Sequence, residues 1–565
     1  MPHVSQRILA VAAFAVLSAG LSSAQVVLAP TTPQVGSSNP VSAEPLVSRP
    51  TTKPCTVQLF QNLAFADFNL KSFTYTPPAA CPGPWAKVVF TADFTVSAGT
   101  QYDRTASFYL GHANIYYGTT SEPSSGYSPS WHVESDVTDL SPIFQSTQTG
   151  EANIGNYVGV YNGTDYNGII YANAALEFYP ANFANPAPLT PDVVVPVNGG
   201  GGDAGTLNTT SDRISQNLNL PENVESVYLD VIAQPQSDDE FYYFNVPDDE
   251  ASNLYSDPGG PFRETEVYID GKSAGVAPVY PFLNTGGIDP NLWIPIVGNQ
   301  THNFKPYRVN LTPFAGLLSD GNQHTVSVGV FGADSYFLAT ANLLVYEDHF
   351  SKKVIGGVEF NNLADPTPDT VENITQDPKT GFYTGSITVT SSREFAIKGY
   401  VNTSHGRVDT TVAQKVGFYN KQEFDVDSTN GTLDVQKAQQ NATVDSVVTT
   451  KNGWASSTVT SHLAYPIDVN FAYGVNADGS LYENTSVDQK YETSTDNGFP
   501  FYPEKTFEET KSTDDQAVDA SGNYSNKANS SQTYRSNGPN GRKYDETLTS
   551  AQGVLTAVSH GDGKK

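Results

Sequence analysis

From Val88 to Tyr179 apolar and polar positions alternate in short runs, at Val88–Val96, Ser107–Leu110, Asn114–Tyr117, Trp131–Val133, Val158–Tyr161 and Ile169–Tyr179. Period-two alternation rich in branched and aromatic residues, interrupted by Gly, Pro and Asn, predicts half-buried strands. The pattern returns between 209 and 350, with strands at Val224–Ala233, Glu266–Ile269, Val326–Phe331 and Phe337–Tyr346 and a hairpin turn at Asp270-Gly271. In both stretches a strand runs into a short apolar turn, Asp136-Val137-Thr138 towards Phe144 and Tyr307–Thr312 towards Leu318. Two copies of one sandwich follow: jelly-roll-like domains over 51–180 and 209–350, set side by side with a cleft between them. Between them, 181–208 has the Pro and Gly content of a linker, with Gly199 to Gly202 in a row. The polar insertion Asp248–Pro261 is long enough to shape the cleft.

Beyond 350, alternation over Gly385–Ser391, Phe395–Val401, Val408–Tyr419, Val435–Thr450 and Ser457–Tyr473 predicts long antiparallel strands and a third, β-rich domain over 351–503. Residues 504–565 are polar and read as a partly disordered tail, with one strand at Val554–Val558. The predicted class is mainly β.

At the other end, Arg7, the apolar run Ile8–Leu17 and the small residues Ser22-Ser23-Ala24 predict a cleaved signal peptide, 1–24, and therefore export. Residues 25–50 carry no periodicity and read as an extended leader. In an exported chain the only two cysteines, Cys55 and Cys81, are most simply a disulfide, whose loop-closure effect would be roughly 3 kcal/mol. Sequons stand at Asn162, Asn208, Asn299, Asn310, Asn373, Asn402, Asn430, Asn441, Asn484, Asn523 and Asn529.

Of the 565 residues, 59 are acidic and 30 basic, a formal charge of −29, which disfavours nucleic acid and anionic membranes as partners. The nine His show no HExxH or HxH spacing, so no metal is expected, and no phosphate-binding glycine loop suggests a nucleotide cofactor. Gly271-Lys272-Ser273-Ala274-Gly275 matches a nucleophile elbow in letters, but Pro278 and Pro281 follow where a helix is needed, so it reads as a hairpin turn.

Acids and aromatics in loops remain. In Gln101–Pro123 a hairpin carries Asp103, Arg104 and Glu122 at its outer ends. On spacing alone Asp103 and Arg104 read as a structural ion pair; two carboxylates on one rim are the alternative that carries acid–base chemistry. Asp239 and Glu240 follow a strand, Arg263 and Glu264 precede one, and Trp293 sits in a Pro/Gly-rich loop. An indole beside carboxylates and amides suits a sugar ring; a buried Trp and solvated acids are the other reading.

Ordered motifs then carry a resemblance. Cys81-Pro82-Gly83-Pro84-Trp85, QYDR, TTSEP, DVTDL, LEFYP, DEFYYFNVP, GPFRETEVYIDG, TGGIDPNLWIPI and GYVNTSHG occur in the order seen in the peptide-N4-(N-acetyl-β-glucosaminyl)asparagine amidase A family, which this chain resembles over 55–350 and, less closely, 395–425. The resemblance implies a secreted, metal-free enzyme that hydrolyses the amide between N-acetylglucosamine and asparagine, with a jelly-roll plan similar to the F-type peptide:N-glycosidases. Matched to the F-type pattern, Asp103 before Arg104 is the first catalytic carboxylate and Glu240 before Phe241 its partner, with Glu264 the competitor. Arg104, Glu122, Asp239, Arg263 and Trp293 are the implied substrate contacts. Gly118 stands where that family has an Arg. No cofactor, N-glycosylated peptides as substrate and a monomer are expected. A non-catalytic glycan-binding jelly roll and an endo-acting glycoside hydrolase are the alternative readings.

Overall fold

The computed structural model describes residues 25–122, 125–199, 201–498 and 500–561. The expected signal peptide lies outside them. The fold is mainly β, built from antiparallel sheets. In the first domain, one four-stranded sheet places Ile170–Pro180 between Cys55–Phe65 and Trp85–Val96, with Ser130–Asp136 at its edge. A second orders Lys71–Tyr75, Gln148–Ile154, Thr105–Leu110 and Ala113–Thr119. Inward positions of the two sheets, among them Phe90, Phe94, Phe108, Tyr116 and Trp131, fill one aromatic core. A disulfide joins Cys55 and Cys81, whose Cα atoms lie 6.1 Å apart.

The second domain repeats this plan. Val224–Gln236 pairs with Tyr336–Glu347 and Tyr307–Asn310 in one sheet, while Ile214–Leu218, His324–Phe331, Glu264–Ile269 and Lys272–Pro278 form the other. The turn at Asp270-Gly271 closes a hairpin, as the two positive φ angles of 51° and 73° require. The stretch read as a linker is partly woven into this domain, because Val193–Val197 and Gly205–Leu207 both pair with Tyr336–Glu347. Four valines and one Pro, which an edge strand tolerates, outweigh the flanking glycines in Val193–Val197.

The remaining chain forms one 13-stranded sheet. Its hairpin of Tyr383–Thr403 with Gly406–Val426 has strands 21 residues long. Phe395, Ile397, Val401, Val416 and Val444 join the core of the second domain, so the sheet lies against that domain as a continuous layer. The polar tail is a correction: Glu504–Val518, Asn529–Asn537, Lys543–Ala551 and Val554–His560 are strands of this sheet. Most of their buried positions, among them Thr510, Ser512, Asp514, Gln532 and Ser550, are polar, so the alternation is real but written largely in polar residues. The leader is also ordered. Val41 bridges to Ile296, and Val41, Ala43 and Ile296 pack with Leu548 and Leu555.

Among the described residues no helix is long and apolar enough to cross a membrane.

Candidate active site

The two domains touch along the edge strand Ala113–Thr119. Residues 299–304 of the second domain run beside it: Thr119 N and Oγ1 donate to the Thr301 carbonyl, each over 2.9 Å, and Phe304 N donates to the Tyr117 carbonyl at 2.8 Å. The Tyr116 hydroxyl reaches the His302 carbonyl at 2.6 Å. A Cβ at Gly118 would collide with that same carbonyl. The strand and loop approach too closely there for a side chain, which calls for glycine.

At the end of this seam the chain from Tyr102 to Arg104 leads into strand Thr105–Leu110, and Ser121–Glu122 follow its partner strand. Arg104 N donates to Thr120 Oγ1 and Thr120 N donates to the Arg104 carbonyl, which fixes the two ends side by side. Asp103 N then donates to Glu122 Oε2 at 3.2 Å. The buried Arg104 guanidinium lies over the Tyr102 ring and donates to the Asp103 carbonyl (2.8 Å) and to Asn156 Oδ1 (3.0 Å). Its charge therefore supports Asp103 from the backbone side.

The second domain contributes one loop and one acid. Asn284 Nδ2 donates to Glu240 Oε1 at 2.8 Å, Thr285 Oγ1 accepts from Glu122 N at 2.7 Å, and Gly286 N donates to Asp103 Oδ2 at 2.7 Å. Three consecutive residues thus engage Glu240, the Glu122 backbone and Asp103. All three acids are half-buried. Burial, and then the charge of Asp103, push Glu240 and Glu122 up to about 8. Burial raises Asp103 as well, against the opposing pull of the Gly286 N–H and of Arg104. Three carboxyls this close cannot all ionise; the donors and the cation favour the anion on Asp103 and leave the proton to the glutamates.

The other residues singled out in the sequence are placed elsewhere. Asp239 is fully buried and pairs with Arg263 through Nε (2.8 Å) and Nη2 (2.7 Å), while its Oδ2 accepts from Asp334 N and Ser335 N. This pair is inaccessible to substrate; it anchors the turn that presents Glu240. Glu264 is buried in mid-sheet and bound by Arg393 of the third region, so it does not compete with Glu240 for Asp103. Trp293 is not an open plate. Its ring is buried with Leu283 and Leu292 against Ala438, Ile467, Val469 and Val487, and its Nε1 donates to the Gly287 carbonyl at 2.9 Å. Asn284, Thr285 and Gly286 lie in the loop the sequence marked, but backbone donors leave no signature beyond the glycine. Of the sequons, Asn299 is fully buried and hydrogen-bonded to Gln489, so its amide cannot carry a glycan in the fold.

Among the described residues one group has metal-ligand spacing, Glu225, Asp348 and His405. Both Asp348 oxygens already accept hydrogen bonds, from Ser404 N and Oγ and from Phe350 N.

Two antiparallel sandwiches closing on a recess of three carboxyls, with amide donors and a buried cation beside it, define a β-sandwich hydrolase. Residues 41–362 match the family described as peptide N-acetyl-beta-D-glucosaminyl asparaginase amidase A, and the chain belongs to it. The peptide-N4-(N-acetyl-beta-glucosaminyl)asparagine amidase A of Prunus dulcis is 28% identical over 460 residues, 78% of each chain. Among solved structures, PNGF-II aligns over 53% of this chain and 66%, just under two thirds, of its own, at 15% identity and a TM-score of 0.35. PNGase F, a glycosylasparaginase from Flavobacterium meningosepticum, aligns over 52% of this chain and 96% of its own, at 12% identity and a TM-score of 0.34.

Proposed function

We propose that the protein hydrolyses the amide bond between N-acetylglucosamine and asparagine in N-glycosylated peptides. The observation that carries this reading is the convergence of Asp103 and Glu122 from one domain with Glu240 from the other on the loop Asn284–Gly286. Amide hydrolysis needs an activated water, a donor for the developing oxyanion and a proton for the leaving nitrogen. Ionised Asp103 takes a proton from water as its oxygen bonds to the asparagine carbonyl carbon. Protonated Glu240, held at Oε1 by Asn284, delivers its proton to the glycosylamine nitrogen as the C–N bond breaks. The protein product carries aspartate, and the 1-amino sugar then loses ammonia to water. Protonated Glu122, against Asp103 N, keeps a second negative charge away from the base.

The recess is complete within one chain, which supports a monomer as the working unit. The disulfide, the exposed sequons such as Asn162, Asn208 and Asn373 and the N-terminal sequence support secretion with glycosylation.

Digestion of a defined glycopeptide in isotopically heavy water tests the reaction. An aspartyl peptide bearing one heavy oxygen and no sugar supports it, whereas N-acetylglucosamine left on asparagine would identify an endo-acting glycoside hydrolase. Binding without turnover would identify a lectin.

A further inference from the structure

The loop 281–299 supplies the donors of the site, yet its own backbone is strained: Ile288, a branched residue, has φ 63°, a left-handed angle that such residues rarely adopt. A loop of this kind persists only when its surroundings fix it. Its surroundings come from the far end of the sequence. Gln489, fully buried on the third-region strand Leu481–Asp496, donates from Nε2 to the Pro281 carbonyl at 2.7 Å and accepts at Oε1 from Asn299 N at 3.1 Å. One side chain thus grips both ends of the loop. Asn299 Nδ2 donates in return to the Gln489 carbonyl (3.0 Å), and Thr510 Oγ1 donates to Asn299 Oδ1 (2.5 Å). The same sheet holds the segment after Glu240, where Asn420 Nδ2 and Gln422 Nε2 each donate over 2.9 Å, to the carbonyls of Tyr243 and Asn245.

We propose that Gln489 is a positioning residue for the amidase, and that the C-terminal sheet is part of the catalytic apparatus because its buried amides hold the two loops that carry Glu240 and the Asn284–Gly286 donors. The inference rests on the functional reading above. Buried amide side chains suit this role because irregular loop backbone away from a ladder must still satisfy its buried carbonyls. Gln489 touches no reacting atom. It acts by keeping Gly286 N on Asp103 and Asn284 Nδ2 on Glu240, and both of those bonds favour the ionised carboxylates.

Gln489→Met keeps the length of the side chain and removes both hydrogen bonds. In the full-length protein we expect kcat on a glycopeptide to fall roughly 10- to 100-fold, the scale at which small misplacements act. Both limbs of the pH–rate profile should move to higher pH, because Asp103 and Glu240 lose donors while Glu122, Arg104, Tyr102, Tyr243 and Tyr336, the charged and titratable groups beside them, are unchanged. Amide hydrogen exchange over 281–299 should quicken. Parent kcat, parent pH limbs and parent exchange in folded Gln489→Met overturn the proposal, and so does a lower melting temperature with all three unchanged. If Gln489→Met does not fold, Thr510→Val, which removes one hydroxyl that donates to Asn299 Oδ1 and accepts from Gln532 Nε2, should shift the same three readouts in the same directions by a few fold. A parent protein without activity strikes the functional reading alone, since the exchange measurement still decides whether Gln489 grips the loop.

Discussion

Gly286 N–H of the second domain donates to Asp103 Oδ2 of the first over 2.7 Å, so the orientation of this carboxylate depends on a residue 183 positions away. A Cβ at 286 would stand 3.3 Å from that oxygen and would collide with Glu122 Oε2. Gly286→Ala is therefore expected to lower kcat/KM at least about tenfold by displacing both acids, in keeping with the sensitivity of catalysis to placement. Steady-state kinetics beside a melting curve checks this.

Asp103→Asn removes the proposed base but leaves an oxygen for Gly286 N–H. Turnover should fall by about two to four orders of magnitude, the usual worth of a positioned acid or base. Folding should survive, since a neutral amide is easier to bury than a carboxylate. Full activity in this variant would displace Asp103 from the mechanism.

Glu240, raised to about 8, should set the alkaline limb of the pH–rate profile, while ionisation of Asp103 sets the acid limb. Glu240→Gln should abolish the alkaline limb along with most of the rate. An alkaline limb that persists unchanged would assign it to another group.

Stability should respond to pH in a fixed direction. Burial lifts Glu508 and Glu483 to about 8 and Asp289 to about 7. Each binds more protons folded than unfolded between its unfolded value and its folded one, so its contribution falls as pH climbs through that window. Thermal unfolding should therefore occur at a higher temperature near about pH 5 than near about pH 8. Calorimetry at the two pH values decides it.

Arg263→Met should cost about 3–5 kcal/mol, because it leaves Asp239 charged and buried without its partner. Urea unfolding measures the loss. Neutralising both sides, with Asp239→Asn added, should recover part of it, which an independent role for each residue would not allow.

Much of this was legible because sheets advertise themselves when their buried face is apolar. Val88–Val96 and Val224–Ala233 alternate visibly, and Asp103 and Glu122 flank a hairpin that the turn at Gly111 announces. The rest was illegible for two physical reasons. Strands such as Glu504–Val518 bury Thr, Ser and Asp, so the same period-two geometry gives no hydrophobic signal. Burial also decides roles that residue type leaves open: Trp293 faces a neighbouring sheet and Asp239 a neighbouring arginine, and neither fact is written within a few positions of them. The amide donors of Asn284 and Gly286 belong to a loop path, which only tertiary structure fixes.

The leader ties the beginning of the chain to its end. Gly36 and Leu555 are joined through the backbone, Ala43 N donates to Gln532 Oε1 across 489 positions, and Val41 hydrogen-bonds to Pro295 and Val297 beside the loop of the site. During synthesis the earliest of these residues must wait for the last strands to emerge. Contacts of such long separation form slowly. The two sandwiches can condense before the strands that back the loop 281–299 have been made, so a chain cut ahead of Leu481–Asp496 would keep much of its fold and lose the support of its site.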